Sequence, residues 1–190
     1  HIVASTALYG GSQNLLHYTL RRFGIDTTFV KPGDIDAWRA AVRPNTKLFF
    51  GETVGNPGLD VLDTPTVAAM AHEAGVPLLV DSTLTSPYLV KPFDQGADLV
   101  YHSATKCLSG HGTVVGGIVV DGGSFDWDQS GKFAELSQAY DGFHNMVFSE
   151  EQRLLADTAR DFLDAHCPVA ALRRLRDGKD ALGYEPQAWR

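Results

Sequence analysis

Short continuous apolar runs alternate along the chain with apolar residues at helical spacing. His1 to Ser5 reads as a strand. After Gly10-Gly11-Ser12, residues Leu15, Leu16, Leu20 and Phe23 predict a helix over 13–23, with Gly24 as its C-terminal cap. The β-branched and aromatic run Thr27 to Val30 predicts a strand. Asp34 or Asp36 suits the N-cap of a helix reaching about Val42, and Lys47 to Phe50 predicts another strand. Thr53 to Asp63, with its glycines, prolines and Asn-Pro step, predicts a long loop, where function concentrates. Thr64 as cap and Pro65 at the first helical position predict a helix over 66–74, closed by Gly75. Strands follow at 76–80, 98–102 and 117–120, the last before the turn Asp121-Gly122-Gly123.

Strands that read as continuous apolar runs are buried on both faces. Their alternation with helices is the signature of a mostly parallel sheet covered on both sides. The expected fold class is therefore α/β, a three-layer αβα arrangement. Ligands in such sheets bind beyond the carboxyl ends of the strands, where Asp81 and the segment Ser103 to Lys106 lie. The pattern changes near Val147. Ser149-Glu150-Glu151-Gln152 forms a capping-box sequence, and Leu155, Ala159 and Phe162 follow at helical spacing. Cys167-Pro168 stops that helix, and a basic one with Arg173, Arg174 and Arg176 succeeds it. The expected division is 1–147 as an α/β region and 148–190 as an all-helical tail of different origin.

Composition narrows the classes. The chain has 190 residues, 44% hydrophobic and 21% charged, and a net charge of −7. That balance argues against nucleic acid or an anionic membrane as partner, because both select a basic surface. No apolar run approaches the roughly 20 residues that span a bilayer. Cys107 and Cys167 give no disulfide framework, so a cytoplasmic location is expected. The chain opens on His1, and both ends look cut, which leads to the expectation of a longer polypeptide.

Lys106 follows a strand and small hydroxylated residues and precedes a glycine-rich turn. It reads either as a solvated loop lysine or as an amine that reaches a bound carbonyl. Asp81 reads either as a turn cap or as a carboxylate that pairs with a protonated ring nitrogen. The two together describe a pyridoxal phosphate site, in which the lysine forms an imine and the aspartate turns the ring into an electron sink. Such a lysine is expected to be partly buried beside another cation, which lowers its pKa. Ser103 and Thr105 offer phosphate-binding or turn-capping hydroxyls. Tyr9 reads as a ring stacked on a planar cofactor or as a core residue, and Asn56 as a donor to a phenolate oxygen or a turn former. His102, His111 and His144 lack metal-ligand spacing, and Cys107 has no Cys-His-Asn arrangement. No glycine fingerprint for a nicotinamide and no Walker motif is present.

Tyr9 in Leu8-Tyr9-Gly10-Gly11, Asn56 in the segment Gly51 to Pro57, Asp81 in Val80-Asp81-Ser82-Thr83, and Ser103-Ala104-Thr105-Lys106 occur in order. Over residues 1–147 the chain resembles the Cys/Met-metabolism family of pyridoxal phosphate enzymes. Gly51 to Asp60 and Ser137 to His144 look most like its O-acetylhomoserine sulfhydrylase branch. The resemblance implies an incomplete large domain of a fold-type I pyridoxal-phosphate-dependent transferase. It implies pyridoxal 5'-phosphate as cofactor, an amino-acid substrate with sulfide or a thiol, and a homo-oligomer, dimer or tetramer. Lys106 would hold the cofactor covalently and shuttle protons, Asp81 would meet the ring nitrogen, and Tyr9 would stack. Ser103 and Thr105 would hold the phosphate and Asn56 the phenolate oxygen, with Glu52 and Thr83 nearby in the pocket. The implied reaction is γ-replacement on O-acetyl-L-homoserine, giving homocysteine in methionine biosynthesis by transsulfuration. Ser82 stands where the family has asparagine. The upstream phosphate-binding turn, a partner-subunit Tyr/Arg segment and a carboxylate-binding arginine are expected outside this chain. The alternative is an inactive fragment or fusion product that keeps the motifs. The tail, with Phe148 to Leu155, Asp161 to Leu163 and Gly183-Tyr184, resembles the first helices of acyl-CoA dehydrogenases, a structural helix pair there.

Overall fold

The computed structural model describes residues 1–166, 173–174 and 177–178. The chain divides into two units, His1–Lys132 and Phe133–Arg190; the change of pattern in the sequence had suggested a boundary at about 148.

The first unit is built on a six-stranded sheet. Its strands are β1 (Ile2–Ser5), β2 (Thr27–Val30), β3 (Leu48–Glu52), β4 (Leu78–Asp81), β5 (Leu99–Ser103) and β6 (Gly117–Asp121). Their order is β2-β1-β3-β4-β5-β6. Neighbours from β2 to β5 run parallel, and β6 closes the edge antiparallel to β5. The helices are α1 (Gly10–Asn14), α2 (Ile35–Ala40), α3 (Thr64–Glu73) and a short α4 (Ser86–Leu89).

Strand alternation sends successive side chains to two apolar layers. Val3, Phe49, Leu78, Val80 and Val100 pack with Trp38 of α2 and Val67, Ala68 and Ala71 of α3. Ile2, Ala4 and Phe50 face the other way, against Leu8 and Leu16. Both faces are buried, which is why these strands read as continuous apolar runs and the fold is αβα.

Local chemistry explains several element ends. Asp34 caps α2 by accepting the Ala37 N–H at 3.0 Å. Gly24 ends the first helical segment in the left-handed region, at φ 78°. That segment starts at Gly10 rather than Gln13, and passes through a π turn, Leu15–Thr19, and a 3-10 turn, Leu20–Phe23. Leu16 is buried there while Leu15 and Phe23 are exposed, so the apolar spacing overstated its packed face. The cap of α3 is Asp63, not Thr64: its carboxylate accepts both the N–H and the hydroxyl of Thr66. The long segment after β3 is folded back by a bridge between Val54 and Val61. Gly55 permits this, because a Cβ there would lie 2.7 Å from the Ala7 side chain. β6 differs from the other strands in being exposed over most of its length.

In the second unit, α5 (Ala134–Ser137) precedes α6 (Phe148–His166). α6 begins at Phe148, one residue before the Ser149 that the capping-box sequence offered as its cap. The predicted stop at Cys167-Pro168, Arg176 of the basic helix and Gly183-Tyr184 lie outside the described residues; Arg173 and Arg174 are helical. Among the described residues no helix is long and apolar enough to cross a membrane.

Candidate active site

Parallel register carries the ends of β3, β4 and β5 to one edge of the sheet: Glu52 is opposite Asp81, and Asp81 is opposite Tyr101. A cleft of about 430 Å³ opens there, within the ordinary range for small-molecule sites. Every site residue the sequence singled out lines it: Tyr9, Glu52, Asn56, Asp81, Thr83, Ser103, Thr105 and Lys106.

Asp81 is buried, with 8% of its surface exposed. The Thr83 N–H donates to its Oδ1 at 2.9 Å and the Thr83 hydroxyl donates to the same oxygen at 2.5 Å. Burial pushes the Asp81 carboxyl above the usual carboxylate range, while the two Thr83 donors and His102 pull it back. Glu52 lies alongside and accepts the Tyr9 N–H at 2.6 Å. Its pKa is pushed up to about 7. Burial is the main cause, opposed by the Tyr9 amide, reinforced by the Asp81 charge and opposed again by the Asn56 amide. Tyr101 is raised as well, first by burial and then by Asp81.

The Lys106 turn stands at the rim. The Lys106 N–H donates to the Ser103 carbonyl at 3.1 Å, and the Gly110 N–H donates to the Lys106 carbonyl at 3.0 Å. Lys106 is exposed, and among the described residues no second basic side chain lines the cleft. The sequence expectation of a partly buried lysine beside another cation is therefore corrected. The turn lies beyond the end of β5, where neither apolar layer covers it. The Thr105 hydroxyl is also occupied: it accepts the Gly116 N–H at 3.1 Å. Tyr9 keeps 58% of its surface exposed and belongs to the cleft wall, not the core.

Ser12, Val54, Leu84 and Tyr101 line the cleft too and were missed. For Tyr101 a signal existed. Alternation along β5 puts it on the same side as Ser103, two residues on. Ser12 lies in α1, just beyond the glycines that follow Tyr9, but nothing in its type marked it.

The donor set suits a planar, anionic, aldehyde-bearing cofactor. One carboxylate oxygen is held by Thr83 while the other is left for a cation, and an amine lies at the end of the next strand. Hydroxyls and an aromatic ring complete the wall.

The sequence profile of the Cys/Met metabolism PLP-dependent enzymes matches residues 1–153. The chain is 50% identical over 149 residues to the O-acetyl-L-homoserine sulfhydrylase of Leptospira meyeri, covering 78% of this chain and 34% of that protein. It is 43% identical over 196 residues to the sulfhydrylase FUB7 of Fusarium oxysporum f. sp. lycopersici, covering 98% of this chain and 45% of that protein. A solved O-acetylhomoserine (thiol)-lyase of Campylobacter jejuni, containing N'-pyridoxyl-lysine-5'-monophosphate, superposes with a TM-score of 0.72. It is 27% identical, over 78% of this chain and 37% of that one. The chain thus spans less than half the length of these relatives. The Fusarium alignment reaches into the tail, and none of these comparisons supports the tail's likeness to acyl-CoA dehydrogenases. Over most of its length, then, this chain belongs to the Cys/Met metabolism family of pyridoxal-phosphate-dependent enzymes.

Proposed function

We propose that the chain forms the cofactor-binding core of an enzyme that replaces the γ-substituent of O-acetyl-L-homoserine. Acetate leaves, sulfide or a thiol adds, and homocysteine or a thioether forms. The observation that carries this reading is that Asp81, at the end of β4, and Lys106, past the end of the neighbouring β5, line one cleft with Tyr9 and Asn56. The sulfhydrylase names of the relatives give it the substrate class.

Pyridoxal phosphate, when bound, supplies an aldehyde and a protonated ring that withdraws electrons from the substrate carbon. Lys106 Nζ would hold the aldehyde carbon and then carry protons at the substrate Cα and Cβ. Asp81 Oδ2, the oxygen that Thr83 leaves open, would keep the ring nitrogen protonated. Tyr9 would lie against the ring, on a backbone that Glu52 fixes. The Asn56 amide would donate to the phenolate oxygen. The Ser103 hydroxyl would donate to the phosphate, and that of Thr105 would do so by giving up its donated bond to the Gly116 carbonyl. A homo-oligomer belongs to this reading, supported by apolar surface left open on β6, where Ile118 and Val119 are exposed. So does a cytoplasmic location, supported by the exposed free thiol of Cys107.

The test adds pyridoxal phosphate to the chain and follows visible absorbance, then homocysteine made from O-acetyl-L-homoserine and sulfide. A band and product that both vanish in Lys106→Ala are expected. No lysine-dependent band and no product would overturn the reading.

A further inference from the structure

We propose that Thr83 is a positioning residue that fastens the carboxylate at the end of β4 to the turn that carries Lys106. The inference rests on the cofactor reading above and goes beyond it in assigning how the two charged groups are kept in register.

The Thr83 hydroxyl has one proton and gives it to Asp81 Oδ1 at 2.5 Å. The same oxygen of Thr83 accepts the Ser103 N–H at 2.8 Å. The Ser103 carbonyl in turn accepts the Lys106 N–H at 3.1 Å. One line of hydrogen bonds therefore runs from Asp81 through Thr83 and Ser103 to the Lys106 backbone. Because the Ser103 N–H occupies the hydroxyl oxygen from one side, the hydroxyl proton is directed at the carboxylate. The Thr83 N–H completes Oδ1, so Oδ2 is the oxygen presented to a cation in the cleft. The ionisable groups that face Asp81 are Glu52 on β3, Tyr101 and His102 on β5, and Tyr9 and Lys106 on the cleft wall. None of them donates to Oδ1 in the way Thr83 does.

The test compares Thr83→Val, which keeps the branched shape and loses the hydroxyl, with Thr83→Ser, which keeps the hydroxyl. Carbon-13 NMR of Asp81 in the cofactor-free chain reads the carboxyl titration directly. Its midpoint is expected to move upward in Thr83→Val and to stay at the wild-type position in Thr83→Ser. The dissociation constant for pyridoxal phosphate is expected to rise roughly tenfold in Thr83→Val alone, the effect of one hydrogen bond to a charged group. An unmoved Asp81 titration in Thr83→Val overturns the proposal, as does Thr83→Ser behaving like Thr83→Val, which would make the methyl group the active part. If Thr83→Val does not fold, Thr83→Cys, a much weaker donor, must fall on the displaced side of Thr83→Ser. A shifted Asp81 titration in a chain that shows no lysine-dependent absorbance would sink the cofactor reading and leave the Thr83 link standing.

Discussion

Asp81 ends β4 and Lys106 lies just past the end of the adjacent β5, and the protein holds them in opposite ways. Asp81 sits near the middle of the sheet, buried, with Thr83 donors on one oxygen. Lys106 is exposed on a turn past β5, secured through its backbone. A buried carboxylate is kept against its own desolvation, so its presence calls for a partner. An exposed lysine carries no such cost, and nothing about its burial marks it. Its meaning comes from what the sheet sets beside it. The contrast predicts that Asp81 couples stability to cofactor binding, whereas Lys106 serves chemistry alone.

The sharpest way to break that contrast is Lys106→Ala. The variant is expected to lose covalently held pyridoxal phosphate altogether, seen as loss of visible absorbance. With both chains free of cofactor, its thermal midpoint should stay at the wild-type value, as for an exposed side chain. A marked loss of stability would mean that the turn is part of the folded core. The next largest effect is expected from Asp81→Asn. Its amide oxygen can still accept both Thr83 donors, but the charge is gone. Affinity for the cofactor should fall on the order of a hundredfold, because a paired charge loses its partner in a desolvated site. Stability near neutral pH should be kept or rise, since burial disfavours the charge. Calorimetry and a cofactor titration on the same sample separate the two effects.

How legible each region was follows from the same physics. The core strands were readable because burial on both faces leaves unbroken apolar runs, as in Val76 to Val80. The residues around the cleft were readable because Asp81 and Lys106 fall at strand ends, where parallel sheets bind ligands. The exposure of Lys106 was not readable, since burial depends on what packs over the turn and not on its own sequence. Nor was the cap of α3: Asp63 and Thr64 are both good capping residues, and tertiary placement chose the first. The relay through Thr83 was hidden for a similar reason. A threonine two residues after an aspartate is common, and only the register of β4 against β5 brings the Ser103 N–H to its oxygen.

Glu52 sharpens the comparison from the stability side. Its folded pKa of about 7 lies above the ordinary 4.5. Between those values the folded chain binds more protons than the unfolded one, so wild-type stability falls as pH rises through that window. Glu52→Gln keeps an acceptor for the Tyr9 N–H and carries no charge. Relative to wild type it should gain nothing below pH 4.5 and up to about 3 kcal/mol above pH 7, from the size of the shift. Thermal midpoints across that pH range check the sign. A gain that is equally large at low pH would point to better packing of the amide, not to relief of a buried charge.

The smallest effect is expected at Tyr9, and it tests whether an exposed residue can matter as Lys106 does. Tyr9 keeps most of its ring exposed, while Glu52 fixes its backbone. If its part is to stack, the ring matters and the hydroxyl does not. Tyr9→Phe should then bind pyridoxal phosphate as the wild type does. Tyr9→Ala should lose about 1 kcal/mol of affinity, roughly fivefold, the contribution of one stacked ring. Gly11 offers an independent way to the same end, because a Cβ there would lie 2.6 Å from Tyr9 Cε1 and push the ring aside. Gly11→Ala should therefore weaken the cofactor to a similar degree with Tyr9 intact, read by the same absorbance titration. If both variants bind as tightly as the wild type, the ring does not lie on the cofactor. The recognition would then rest on the strand ends alone, on Asp81 and on the amine that stands beside it.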